Sequence, residues 1–179
     1  TIANESDDVL YTWAGPEIPV ATTKAYSTQM VMMYIIGLYI SSTLEKTDPA
    51  ELRSILLGML ELPDMIENLL KQAEEIQGLA KKFMDLEHAY FIGRNLDYAV
   101  ALEASLKLKE ISYIHSEAYA AGELKHGTIA LIEQGTLVVA LACNERIRAK
   151  TLSNIKEVKA RGAQVLVLTT EGATDIEEE

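Results

Sequence analysis

The sequence has little cysteine, little positive charge and no long apolar run. Its one cysteine, Cys143, excludes an intrachain disulfide and a metal site built on several thiolates. Lysine and arginine total 16 against 27 acidic residues, and the resulting net charge of −11 argues against nucleic acid as a partner. The longest apolar run, residues 30–40, is about half of the roughly 20 residues that a membrane-spanning helix needs. We therefore expect no nucleic acid, membrane, metal or cofactor.

The same scarcities indicate a reduced compartment. The first residues, TIANESDDVL, are acidic where a secretory signal would be basic, and with the lone cysteine they predict a cytoplasmic protein. Cys143 ends the apolar run TLVVALAC, so we expect a buried structural thiol rather than a nucleophile. The acidic total still permits a small anionic ligand, because a helix N-terminus and a few side chains can bind one phosphate.

The first part of the sequence is predicted to be mainly helical. Hydrophobic residues make up 49% and charged residues 24%, which is typical of a globular protein with a real core. Residues 9–11 predict a short buried strand, and Thr22 or Thr23 can cap a helix over residues 24–44. That helix is apolar nearly all round, which favours a place in a core or a subunit interface.

Two further helices are predicted before residue 87. Asp48 and Pro49 form a helix start, with an aspartate cap followed by a proline whose missing N–H costs nothing there. This helix runs to about residue 61, and Pro63 is expected to start the next one. Apolar residues in steps of three and four give that second helix one buried stripe, and its charges lie on the solvated side.

The second part of the sequence alternates strands and helices. Gly93 and Gly162 end a strand and a helix within this alternation. The predicted strands cover residues 89–92, 136–142 and 165–169, and the predicted helices cover residues 96–113 and 145–161. This order predicts an α/β fold with a parallel sheet and helices on both of its faces. The pattern lacks strands before it and a helix after it, so we expect an incomplete domain at each end.

Charged residues are concentrated within the apolar sequence of residues 101–127. Glu103, Lys107 and Glu110 are spaced four and three apart, so they share one face of a helix. The spacing alone favours an exposed ion pair worth a few tenths of a kcal/mol. It leaves open a catalytic arrangement, in which a carboxylate moves a proton between adjacent carbons.

Histidines near this helix add a second, weaker signal. Glu123 and His126 are three residues apart in an alanine- and glycine-rich segment, and histidine can accept or donate a proton near neutral pH. Histidines with satisfied hydrogen bonds are also common in protein cores. We assign His88 and His115 to that second class and give them no functional role.

Two long strings of residues carry a resemblance to a known family. LKLKEISYIHSEAYAAGELKHG and AGPEIPVATTKAYSTQ closely resemble segments of the isomerase part of the glutamine–fructose-6-phosphate aminotransferase (isomerizing) family. The resemblance runs from about residue 5 to about residue 170. It implies two tandem flavodoxin-like SIS domains, each a five-stranded parallel sheet between helices. Residues 1–46 would be the mainly helical C-terminal part of the first, residues 47–86 the connecting helices, and residues 87–179 the second.

The resemblance also implies an activity and roles for five residues. The family makes glucosamine 6-phosphate from fructose 6-phosphate and glutamine. Glu110 matches the carboxylate that moves a proton between C1 and C2, and Lys107 matches the lysine that assists it. His126 matches the histidine that opens the sugar ring from the neighbouring subunit, which implies a homodimer. Val20 and Thr22 match positions that contact the sugar phosphate.

Three features of the family are not found in this sequence. The Ser/Thr-rich phosphate loop, the lysine that forms the Schiff base and the glutaminase domain have no counterpart in these residues. We therefore expect a fragment that is inactive alone, within an intact protein that is an enzyme. Thr22 replaces a common serine and keeps the hydroxyl group, whereas Pro19 replaces a small residue and fixes φ in the loop.

Two alternatives share the fold. A fructosamine-6-phosphate deglycase, or another SIS sugar-phosphate isomerase, would be an enzyme that often carries the same Glu and His pair. A non-catalytic SIS module of a transcription regulator would bind a sugar phosphate without converting it. Sequence upstream of this chain would separate these alternatives. A glutaminase domain there favours the aminotransferase, direct entry into SIS sequence favours the deglycase, and a helix-turn-helix favours the regulator.

Overall fold

The chain is divided into two compact units. The computed structural model describes residues 1–173 and Ile176. One unit covers Thr1–Gly78 and the other covers Leu79–Glu179. The predicted domain boundaries after residues 46 and 86 stay predictions.

The first unit is helical, as its sequence predicts. An aspartate cap begins its longest helix, because the Asp48 carboxylate accepts a hydrogen bond of 2.7 Å from the Ala50 amide. The helix predicted over residues 24–44, which is apolar nearly all round, is present, but none of its residues is buried within this unit. The helices are α1 (Ile2–Glu5), α2 (Lys24–Thr43), α3 (Pro49–Leu70) and α4 (Ala73–Ala80), the last of which crosses the boundary between the units.

Two predictions for the first unit are wrong. Residues 9–11 form no strand, because an apolar triplet needs a neighbouring strand to bond its backbone and none of the described residues supplies one. Pro63 does not start a helix but lies inside α3, and the interruption falls after Leu70 instead. A helix can contain proline at the loss of one backbone hydrogen bond, here the one from residue 63 to the Met59 carbonyl.

The second unit is built on a parallel sheet, which confirms the predicted fold class. Within the described residues the sheet has four strands in the order β2-β1-β3-β4, and every neighbouring pair is parallel. The strand over residues 115–120 was not predicted from the sequence. The strands are β1 (His88–Gly93), β2 (His115–Ala120), β3 (Leu137–Leu141) and β4 (Gln164–Leu168), and the main helices are α5 (Leu96–Ser112) and α6 (Glu145–Ala160).

Both faces of this sheet are buried, each against a different helix. Alternate residues of a strand point to opposite faces, so one strand contributes to two cores. Tyr90, Ile92, Val138 and Ala140 pack against α6 and against a 3₁₀ segment, Ala121–His126; we name this side the α6 face. Ala89, Phe91, Leu137 and Val139 pack against α5 on the side that we name the α5 face.

Three side chains that were predicted to be buried, those of two histidines and the cysteine, are exposed instead. His88 and His115 are exposed near the N-terminal ends of β1 and β2, with ring centroids 5.4 Å apart, rather than in the core. Cys143 lies just beyond β3 and is exposed, although its sulfur lies 3.7 Å from the Leu168 carbonyl oxygen. Partial loss of water around the thiol raises the pKa of Cys143, and nearby Asp97 adds to the shift. The thiol therefore stays protonated near neutral pH.

Gly93 permits the tight turn from β1 into α5. A Cβ atom at this position would lie 2.6 Å from the carbonyl carbon and oxygen of Asp97, which is closer than side chains approach a backbone. The first turn of α5 can therefore approach the end of β1 only because residue 93 has no side chain.

We expect Gly93→Ala to lower the free energy of unfolding by about 2 kcal/mol or more, because backbone atoms must move to make room. Gly58→Ala is the matched control, since a Cβ there meets nothing within 4 Å and α3 gains helix propensity. Urea denaturation followed by circular dichroism measures both. A Gly93→Ala protein as stable as the wild type would contradict the close approach.

Candidate functional site

Three charged side chains form a partly buried row along α5. The Lys107 ammonium lies 2.6 Å from the Glu110 carboxylate and 3.6 Å from the Glu103 carboxylate. Between 21% and 31% of each side chain is exposed, so the row is more sheltered than a fully solvated helix face. Lys107 thus lies between two carboxylates, which is compatible both with an ion pair at the surface and with a catalytic arrangement.

The charge on Lys107 is fixed near neutral pH. The hydrogen bond to Glu110 raises the pKa of the Lys107 ammonium above its ordinary value of 10.5, against a smaller opposing effect of desolvation. A raised pKa keeps the proton on the lysine at every physiological pH. Lys107 can therefore donate hydrogen bonds and supply a positive charge, and Glu110 is the member of the pair that can accept hydrogen bonds.

The 3₁₀ segment Ala121–His126 carries the other predicted catalytic residue. Ala121 and Leu124 are buried and attach the segment to the α6 face, while Glu123 and His126 are exposed. Since α5 packs on the opposite face, the structure does not bring His126 together with Lys107 and Glu110 through a shared face of the sheet.

The loop before α2 carries the predicted sugar contacts. Val20 and Thr22 are both exposed. Thr23 stands at the N-cap position, but its side chain caps nothing, so the predicted threonine cap is wrong. The Glu17 carboxylate takes that role by accepting from the Thr23 amide at 2.5 Å, the Thr23 hydroxyl at 3.0 Å and the Ala25 amide at 3.3 Å.

A crevice at the carboxyl ends of β1 and β3 contains the side chain of Asp97. In open α/β sheets, ligands commonly bind where consecutive crossovers leave in opposite directions, and here that point lies between these two strands. Asp97 is buried there and accepts a hydrogen bond of 3.2 Å from the Asn144 amide. The Asn144 side chain accepts a bond of the same length from the Arg146 amide. A ligand at this point would lie beside the Asp97 side chain.

Comparison with known protein families assigns the second unit. The family model for the SIS domain matches residues 82–179, which include all four strands and both helices of the sheet. The chain belongs to the SIS domain family.

Two bacterial relatives of this SIS chain carry the same name. A Clostridium tetani protein, "Glutamine--fructose-6-phosphate aminotransferase [isomerizing]", is 55% identical over 99% of this chain, and the Clostridium acetobutylicum protein of that name is 52% identical over 99%. The chain spans 29% of the length of each. The solved C-terminal domain of glucosamine-fructose-6-phosphate aminotransferase from Francisella tularensis superposes with a TM-score of 0.94, at 39% identity over 97% of this chain and 49% of that one.

The described part of the SIS chain contains neither a metal-binding cluster nor a membrane-spanning helix. Across residues 1–173 and Ile176, three or more metal-binding His, Cys, Asp or Glu side chains nowhere come together. In the same residues, no helix is both long enough and apolar enough to cross a membrane.

Sequence reasoning missed Glu17 and the contacts of Arg94. Glu17 reaches the start of α2 from six residues before Thr23, beyond the spacing of a local cap. Its position between Pro16 and Pro19 is the only signal, because two prolines restrict the loop that returns the carboxylate to the helix. Arg94 contacts Asn154 across 60 residues of sequence, and a spacing of that length gives no signal.

We expect Glu17→Ala to speed hydrogen exchange at the Thr23 and Ala25 amides. The Thr23 amide, chiefly, holds the pKa of Glu17 below its ordinary value of 4.5. A lowered pKa means that the stabilisation is present above pH 4.5 and is lost as the pH falls through the folded-state pKa. Wild-type protection should therefore fade below pH 4.5.

Amide exchange followed by NMR measures this effect. Asp48→Ala is the matched control, because it removes the cap of α3 and should expose the Ala50 amide alone. Unchanged exchange at Thr23 in Glu17→Ala would contradict the capping role of Glu17.

Proposed function

We propose that this chain is part of the isomerase half of an enzyme that converts fructose 6-phosphate and glutamine to glucosamine 6-phosphate and glutamate. The observation that carries the proposal is 55% identity over 99% of the chain with a protein named glutamine–fructose-6-phosphate aminotransferase (isomerizing). Fructose 6-phosphate is the sugar phosphate expected to bind, and the cytoplasm is the expected location.

Glu110 is the proposed proton carrier. After ammonia has replaced the C2 oxygen as an imine, isomerisation needs one proton removed from C1 and one added at C2. A carboxylate can take the C1 proton while the imine nitrogen gains a proton, leaving an enamine with a C1 hydroxyl group. It can return its proton to C2 while the C1 hydroxyl gives one up, leaving an aldehyde at C1 and an amine at C2. The hydrogen bond from Lys107 holds the Glu110 carboxylate in one place, which supports this assignment.

Lys107 is proposed to assist the proton transfer by stabilising charge. Negative charge develops on the imine nitrogen as the C1 proton leaves, and on the C1 oxygen as its hydroxyl group gives up a proton. A fixed ammonium group lowers the energy of that charge. The raised pKa of Lys107 supports this role, because a neutral amine could not supply the charge.

His126 is proposed to open the sugar ring in the site of a second copy of the chain. The placement of α5 and the 3₁₀ segment on opposite faces supports a shared site, since one chain does not present His126 beside Glu110 through either face. A homodimer would supply the missing histidine. Val20 and Thr22 remain proposed sugar contacts, on the strength of the resemblance.

Other steps are assigned to other parts of the intact protein. Because the chain spans 29% of its relatives' length, ammonia supply by a glutaminase domain and formation of the imine would fall to the remainder. We expect the 179-residue chain alone to make no product. The deglycase and the regulatory module share the fold, but no contact in this structure favours either of them.

We expect Glu110→Gln in the full-length protein to reduce glucosamine 6-phosphate formation at least about 100-fold, because glutamine cannot accept the C1 proton. Glutamine hydrolysis should stay measurable, since it needs a separate site. Product formation and glutamate release are assayed side by side.

Glu67→Gln is the matched control, a carboxylate lost from the exposed surface of α3. It should leave both activities unchanged. Near-normal product formation by Glu110→Gln would contradict the role of Glu110.

A further inference from the structure

We propose that Arg94 is a positioning residue for His126, acting through a hydrogen-bonded network that fixes the 3₁₀ segment Ala121–His126 against α6. The network runs from Arg94 through Asn154 and Glu157 to Lys125. This inference rests on the proposed function, because it assigns Arg94 a role in the step that His126 performs.

The network begins with a fork of two bonds on one oxygen. Arg94 follows β1, and its Nε and Nη2 atoms donate to the Asn154 side-chain oxygen at 3.1 and 2.8 Å. Asn154 lies on the inner side of α6 and is 2% exposed. A buried amide oxygen that loses its donors is costly, so this contact is retained wherever the unit is folded.

The network ends one residue before His126. The Asn154 amide group donates to one Glu157 oxygen at 3.3 Å, and the Lys125 ammonium lies 2.7 Å from the other. Lys125 lowers the pKa of Glu157, so the carboxylate is charged near neutral pH. The backbone beside His126 is thereby connected to α6.

Arg94 also contacts the beginning of the same segment. A Cβ atom on Gly122 would lie 3.1 Å from both terminal nitrogens of the Arg94 guanidinium, so the guanidinium lies directly against this glycine. The segment is thus held at Gly122 and at Lys125. Beyond His126 the chain passes through Gly127, which has a φ of 143° that favours glycine. The glycine backbone is also more flexible than that of other residues.

These contacts control where the imidazole lies. His126 is exposed and is the last residue of the segment, so its place depends on the backbone that carries it. A displacement of about 1 Å in a catalytic group can cost on the order of 100-fold in rate. Arg94 and Asn154 lie on the α6 side, away from the face that carries Lys107 and Glu110, so their loss should act through His126.

A double-mutant cycle in the full-length protein tests the inference. Arg94→Lys keeps the positive charge but loses the fork of two parallel donors. We expect His126→Asn to lower kcat for glucosamine 6-phosphate formation about 100-fold. Arg94→Lys should lower kcat about 10-fold with KM nearly unchanged, and the double variant should be no worse than His126→Asn within about twofold.

Two further variants guard against a change in folding. Arg161→Lys is the matched control, because the Arg161 Nε donates to the Ile132 carbonyl at 3.3 Å, beyond the segment, and kcat should stay within about twofold. If Arg94→Lys does not fold, Glu157→Gln removes the ion pair with Lys125 and keeps an acceptor for Asn154. It should lower kcat about threefold, and this loss should also vanish in the His126→Asn background.

The outcomes separate the two proposals. Additive losses from Arg94→Lys and His126→Asn, or a wild-type kcat in both Arg94→Lys and Glu157→Gln, would overturn the positioning role alone. A wild-type kcat in His126→Asn would overturn the role of His126 in the proposed function, and the positioning role would fall with it. A loss that is absent from the His126→Asn background supports both.

Discussion

Two parallel crossovers leave the centre of the sheet in opposite directions, and the geometry of the second unit depends on this reversal. The connection through α5 leads to one edge of the sheet, and the connection through α6 leads to the other. Crossovers of the same hand must then lie on opposite faces. Lys107 and Glu110 follow α5 to one face, whereas His126 is attached to the other. A proton carrier and a ring-opening histidine on opposite faces make a shared site between two copies a simple arrangement for the proposed chemistry.

The same reversal leaves the buried Asp97 at the point where an α/β sheet commonly binds a ligand. The carboxyl ends of β1 and β3 are where an α/β sheet commonly binds an anion. Here the turn at Gly93 brings the first turn of α5 so close that Asp97 occupies the crevice and bonds to the Asn144 amide. A buried carboxylate at this point strengthens the connection between β1 and β3. The proposed catalytic groups lie along helix and segment surfaces, outside the usual crevice of the fold.

Local patterns predicted much of the fold, and the errors share a cause. Alternating apolar runs and helix-ending glycines predicted three of the four strands and both helices of the sheet. Strand β2 was missed because it is an edge strand whose polar His115 and Glu117 alternate with small residues, so its apolar signal is weak. Pro63 misled because a helix can lose one hydrogen bond and continue. The burial predicted for Cys143 is wrong because Cys143 is the last residue of the apolar run and lies beyond the end of the strand, outside the core.

The candidate site contains contacts between distant residues that local sequence patterns did not predict. The resemblance to a family predicts Lys107, Glu110 and His126 as site residues, because they match the positions to which that family assigns the chemistry. It gave no sign of Glu17 or Arg94, whose partners lie 6 and 60 residues away and are met only after folding. Both are charged side chains that hold the backbone of a segment bearing proposed substrate contacts. A catalytic group on an exposed segment has little packing to fix its place, so polar contacts from residues outside the motif must supply the rigidity that the reaction needs.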